Sequence, residues 1–231
     1  MTSPTLTTLL TFNSTNEKPF EGLTADAAGN LYGTAFEGGA NKDGTLVELA
    51  AGTHALSTLV SFDGTDPDPG PLAIDSAGNV YGATRDPDES TGGGTLFEVA
   101  AGSHAFTKVA TLNSQLFPGP VTDLFVDAAG NLHGVSESLP YRSDASLVFE
   151  MAAGAKTITT VGSFDQEPEY VYAATVDAAG NAYVVAGGTR LPDANPPAVF
   201  EVAAGTNAFA EMYSTDLAEV DPSLLTSADQ C

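Results

Sequence analysis

A five-residue string returns four times along the chain at a nearly fixed distance. Asp-Ala-Ala-Gly-Asn stands at Asp26–Asn30, Asp127–Asn131 and Asp177–Asn181, and Asp75–Asn79 differs only by Ser76; successive copies start 49, 52 and 50 residues apart. A second string keeps step with it: Glu48–Gly52, Glu98–Gly102, Glu150–Gly154 and Glu201–Gly205. Two motifs sharing one period over most of 231 residues define a tandem repeat. A unit of this size is one supersecondary piece that cannot bury its apolar face alone, so neighbouring units must stack.

Each unit reads as four short strands, a to d. In the second unit these are Leu72–Asp75, Asn79–Thr84, Thr95–Ala100 and Ala105–Leu112. Strand d alternates Phe106, Lys108, Ala110 and Leu112 with Thr107, Val109 and Thr111, the period of a pleated strand. The runs are rich in Val, Leu, Phe, Tyr and Thr, which suit a pleated surface. No segment carries a long 3.6-residue apolar period, so no substantial helix is predicted. The two motifs fall where turns are needed. Gly29 supplies a left-handed residue to close a short hairpin, and Asp26 bonds to its own backbone two residues on. Ala51-Gly52 and its copies turn strand c into strand d. Four aligned aspartates are also the makings of a metal or catalytic ring, but turn chemistry accounts for every one of them.

Four-stranded units of this length, repeated, predict an all-β fold: a β-propeller of four blades, each of four antiparallel strands. The residues also resemble a family. Asn30-Leu31-Tyr32-Gly33-Thr34, then Gly38-Gly39 and Gly44-Thr45-Leu46-Val47-Glu48-Leu49, are similar to the GloVer tandem repeat of bacterial extracellular proteins. Asn79–Thr84 with Gly94–Val99 repeats the match, and Val176–Val184 resembles the related NHL and SBBP propeller repeats. The resemblance runs from about Leu9 to Tyr213. It implies the propeller fold and an extracellular or cell-surface setting. Such proteins usually carry a signal peptide and a surface anchor; the given chain begins Met1-Thr2-Ser3-Pro4-Thr5, without a basic region and a long apolar stretch.

Charge narrows the partners. Seven Lys and Arg face thirty Asp and Glu, a formal net charge of −23. A nucleic-acid binder needs a basic face to displace counterions, so no nucleic-acid partner is expected. Adsorption to anionic membranes is disfavoured, and no window approaches the ~20 apolar residues of a membrane span, so no membrane insertion is expected. Cys231 is the lone cysteine, which excludes a disulfide scaffold and a cysteine-built zinc site.

The expected organisation is a single propeller domain over 1–231, with repeats at 13–62, 63–112, 113–164 and 165–215 and a tail at 216–231. Strand d occurs once too often: Leu6–Phe12, Leu56–Phe62, Phe106–Leu112, Ile158–Phe164 and Phe209–Thr215. The tail segment Pro222–Asp229 resembles a further strand a. Three readings stay open. The ring closes on four blades with one surplus edge strand, the chain is a piece of a longer array, or the surplus strand pairs with another molecule and so drives self-association.

Antiparallel order puts the near-identical a–b and c–d turns at one end of every blade. The divergent b–c and d–a loops share the other end, and variation gathered on one face marks a binding face. Each b–c loop holds one cation: Lys42, Arg85, Arg142 and Arg190, with Tyr141 beside Arg142. A ring of such cations would receive a carboxylate, sulfate or phosphate; pairing with neighbouring acids is the simpler alternative. The acidic loops, Asp63, Asp66 and Asp68 and then Asp86 and Asp88, are candidate Ca2+ ligands, although no complete calcium-loop pattern is present. No catalytic residue is assigned. His54 and His104 occupy equivalent c–d turns, His133 replaces a strand-b tyrosine, and no nucleophile elbow, zincin or phosphate-loop motif occurs. The expected function is a non-enzymatic binding or display module using the loop face, with a carbohydrate or protein ligand. A structural subunit joined by strand exchange is the alternative. A polysaccharide-acting enzyme comes third, on fold analogy alone.

Overall fold

The computed structural model describes residue 8 and residues 22–64, 68–85, 93–113, 119–137, 146–164, 170–187, 198–205 and 208–214. Among these, the chain forms four sheets of four antiparallel strands and no helix. Blade 1 holds β1 (Thr24–Ala25), β2 (Leu31–Ala35), β3 (Thr45–Leu49) and β4 (Leu56–Ser61). Blade 2 holds β5 (Pro69–Ile74), β6 (Val80–Arg85), β7 (Gly93–Val99) and β8 (Phe106–Asn113). Blade 3 holds β9 (Val121–Val126), β10 (Leu132–Ser136), β11 (Ser146–Met151) and β12 (Thr159–Phe164). Blade 4 holds β13 (Tyr170–Val176), β14 (Ala182–Gly187), β15 (Ala198–Ala203) and β16 (Ala208–Ser214).

In every blade the strands lie side by side in chain order. This is the predicted a–b–c–d meander. The strand d predicted at Phe209–Thr215 is β16, so each described blade takes all four strands from its own unit. The segments Leu6–Phe12 and Pro222–Asp229, on which the surplus strand rests, lie outside the described residues.

The turn motifs behave as their chemistry dictates. In each a–b turn one Asp oxygen accepts the backbone N–H two and four residues on; for Asp26 both distances are 2.9 Å. The other oxygen accepts the Asn side-chain amide, at 2.8 Å from Asn30. The turn glycines have φ near 86–87° in all four copies, the left-handed region that a side chain would strain. The Asn carbonyl reaches further, to the backbone N–H of the c–d turn: Asn30 to Ala51, Asn79 to Ala101, Asn131 to Ala153 and Asn181 to Ala204. One amide therefore fastens both turns of a blade together. His54 and His104 sit at φ 54° and close the c–d turns through their backbone N–H on Ala50 and Ala100.

Apolar cores fill the spaces between consecutive blades. Tyr32, Leu46 and Phe62 of blade 1 meet Val80, Phe97 and Val99 of blade 2. Ala83, Leu96 and Leu112 meet Leu124, Leu132 and Phe149 across the next gap. Val135, Val148 and Val161 meet Val184, Ala186 and Val202 across the third. The repeat is stable because each unit covers the face its neighbour leaves bare. Each c–d ladder also slips once at the same place: Leu46/Val47, Leu96/Phe97, Val148/Phe149 and Val199/Phe200. Such a bulge adds twist to the outer edge strand.

Candidate functional site

The b–c and d–a loops share one end of the blades, opposite the turns just described. Here the ends of the b strands carry one position with four chemistries. Counting six residues from the turn asparagine gives Phe36, Arg85, Glu137 and Gly187. Backbone bonds fix two of them. The Arg85 N–H donates to the Asp68 carbonyl at 3.2 Å, and the Glu137 N–H donates to the Pro120 carbonyl at 3.0 Å. Each thus ties the end of its b strand to the start of its blade's strand a. Phe36 is 38% exposed.

Arg85 and Glu137 belong to neighbouring blades and act on each other. Burial pushes the Glu137 carboxyl above its ordinary range, against the opposing pull of a hydrogen bond from the Val171 backbone and the Arg85 charge. Blades 2, 3 and 4 therefore converge on one half-buried carboxylate. A guanidinium is a planar fork suited to anions, and a carboxylate accepts from hydroxyls, so the two chemistries stand at equivalent b-strand ends of neighbouring blades. Around this point Thr34 donates to the Gly70 carbonyl at 3.1 Å and Ser136 to the Gly119 carbonyl at 3.0 Å, so the strand ends are held without loose hydroxyls.

Of the residues the sequence singles out, four are described. Arg85 is at the centre just described. Lys42 is exposed in the β2–β3 loop at φ 71°, beside Asn41, whose amide donates to the Phe62 carbonyl at 3.0 Å. Asp63 and Asp68 stand at opposite ends of the β4–β5 connection, and Asp68 has φ 52°. Arg142, Arg190, Tyr141, Asp66, Asp86 and Asp88 lie outside the described residues. Among the described residues no three His, Cys, Asp or Glu side chains are grouped to hold a metal. Glu137 was not among the predicted residues. Its signal was positional: it lies six residues after Asn131, as Arg85 lies six after Asn79.

On the turn face, His133 is buried at 3% exposure and its Nε2 lies 3.1 Å from Asp127 Oδ2. Tyr32 and Tyr183 place their hydroxyls on Asp26 and Asp177 at the same point, at 3.1 and 3.2 Å. The imidazole replaces a phenol as the polar partner of the turn aspartate.

Sheets of four strands stacked through repeated apolar faces define a β-propeller module. Solved structures of this class are similar in fold. TolB from Acinetobacter baumannii gives a TM-score of 0.52 at 13% identity over 82% of this chain and 42% of its own. A gluconolactonase from Xanthomonas campestris gives 0.51 at 15% identity over 77% and 57%. An oligogalacturonate lyase from Vibrio parahaemolyticus gives 0.54 at 8% identity over 80% and 50%. The chain thus spans about half the length of these proteins, and the likeness is one of fold. Comparison with curated proteins gave no match. The Gloeobacter/Verrucomicrobia repeat model matches residues 1–191, and the chain belongs to that repeat family.

Proposed function

We propose that the chain is a non-enzymatic binding module of an extracellular or cell-surface protein, and that it takes acidic carbohydrate on its loop face. The observation that carries this reading is the cross-blade pair Arg85 and Glu137 at equivalent b-strand ends. A uronic acid offers a carboxylate for the guanidinium and hydroxyls for Glu137, while the exposed ring of Phe36 gives a sugar an apolar face. The net charge of −23 works against any polyanion, so a short acidic oligosaccharide suits the site better than a long acidic chain.

The test is direct binding of hexuronate-containing oligosaccharides to the wild-type protein, to Arg85→Ala and to the turn-face control Lys156→Ala. Saturable binding weakened about tenfold or more by Arg85→Ala and unaffected by Lys156→Ala is expected, the loss of one charge-assisted anion contact. Equal binding by wild type and Arg85→Ala, or no saturable binding, would overturn the reading.

A further inference from the structure

The opposite face holds a different kind of site. Between blades 1 and 2, at the turn end, lies a cleft of about 280 Å³. Its blade 1 wall carries Asp26, Tyr32 and Glu48; Leu59, Val80 and Val99 make it apolar, and His104 of blade 2 stands at its lining. The opening has a local cause. At the junction of blades 3 and 4, a Cβ on Gly180 would stand 3.1 Å from Asp127 Oδ2, so the turn of one blade sits on the aspartate of the other. A Cβ on the equivalent Gly78, like one on Gly130, would meet only an alanine of its own blade within 4 Å, Ala101 or Ala153. Blade 2 therefore stands off Asp26, and space remains.

The lining is rich in acceptors and poor in cations. Asp26 already accepts four hydrogen bonds, from Ala28, Asn30 (twice) and Tyr32, and still carries its charge. Glu48 lies across the ladder from Tyr32 and makes no hydrogen bond or ion pair among the described residues. A bare metal ion needs several converging oxygens. Asp26 has spent its own on the turn, and no metal-holding group of acids occurs among the described residues. A polyol would leave the apolar lining uncovered. A cation on an aliphatic stem satisfies both parts, with its head on Glu48, within the field of the Asp26 charge, and its methylenes on Leu59, Val80 and Val99. The repeat carries its own hint. The position of His104, two residues after Gly102, is occupied in blade 3 by Lys156, two residues after Gly154. There the chain sets an alkylammonium at the sequence-equivalent place of its c–d turn.

We infer that the cleft between blades 1 and 2 on the turn face binds a small alkylammonium ion, with Glu48 as the principal partner of the charged head. The site is separate from the loop-face site, so the two stand or fall independently.

The probe is 1,5-diaminopentane, titrated calorimetrically into the full chain at low salt, with 1,5-pentanediol as the neutral isostere. One saturable site is expected for the diamine and none for the diol. Glu48→Gln should weaken binding at least fivefold. His104→Lys, which puts an ammonium at the cleft lining, should weaken it by a similar factor through internal competition. Glu201→Gln and Arg85→Ala should leave it unchanged. Equal loss in Glu201→Gln would mean general attraction to an acidic protein and would overturn the proposal. So would binding of the diol as tight as that of the diamine, or the absence of a saturable phase. Urea unfolding of each variant separates loss of the site from loss of the fold.

Discussion

Each turn aspartate works as a hub whose two oxygens are fully used by the backbone, an asparagine and an aromatic or imidazole partner. At Asp127 burial pushes the carboxyl up, but the hydrogen bonds from His133 and Asn131 outweigh it and hold the group below its ordinary range. Asp26 is held low in the same way, with Asn30, Tyr32 and Ala28 outweighing desolvation. A carboxyl that is more acidic in the folded chain adds stability above its unfolded pKa, about 3.9, and loses it as pH falls through the lower folded value. Asp127→Asn turns acceptor lone pairs toward donors. It should cost about 1–3 kcal/mol at pH 7, the penalty of buried polar groups left unpaired. Its urea midpoint should also fall less steeply than that of wild type as pH drops below about 4. Parallel pH profiles for the two proteins would show that Asp127 titrates alike in both folded and unfolded chains. His133→Tyr should cost little, because blades 1 and 4 already place tyrosine there.

At the scale of the strand, blades 2 and 3 each press a phenylalanine ring of strand c against the glycine opposite it on strand b. A Cβ on Gly82 would collide with the Phe97 ring, and one on Gly134 would meet the Phe149 ring. Both phenylalanines are fully buried. Gly82→Ala should cost about 1–3 kcal/mol by overpacking, and Phe97→Leu in the same chain should return part of that loss. Chemical denaturation of the two single variants and the double variant measures the coupling; simple additivity would mean that the ring and the glycine do not compete for space. Much of this architecture was legible from residues. The Asp-Ala-Ala-Gly-Asn period placed every a–b turn, and the strands of the second unit fall within three residues of β5–β8. The c–d bulge was not legible, because the slip between Leu96 and Phe97 inserts nothing visible into an alternating run. The second role of Asn79, on Ala101 of the other turn, also needs the third dimension. At the loop end, Arg85 was readable as the cation of a divergent loop. Glu137 was lost among thirty acids: its place six residues after Asn131 is visible in the sequence, but the cross-blade action of Arg85 that gives that place meaning is not.

Across the whole molecule, a charge of −23 meets an architecture whose apolar cores lie between consecutive blades among the described residues. Apolar junctions hold the stack, while thirty acids against seven basic residues oppose compaction. Hydrophobic burial is short-ranged and indifferent to modest salt, whereas repulsion between exposed carboxylates reaches about a Debye length. That length shrinks from ~30 Å at about 10 mM salt to ~8 Å at about 150 mM. Salt should therefore stabilise the fold. Raising sodium chloride over that range should add about 1 kcal/mol, which for a chain of this size is a rise in Tm of about 2–4 °C. Chloride is the right anion for the test, since sulfate would also strengthen apolar burial by exclusion from the surface and confuse the two effects. Differential scanning calorimetry gives the answer directly. A Tm that falls with salt would mean that attractive pairs, Arg85 with Glu137 among them, outweigh the repulsion. The loop-face charge pattern would then contribute to holding the blades together as well as to binding.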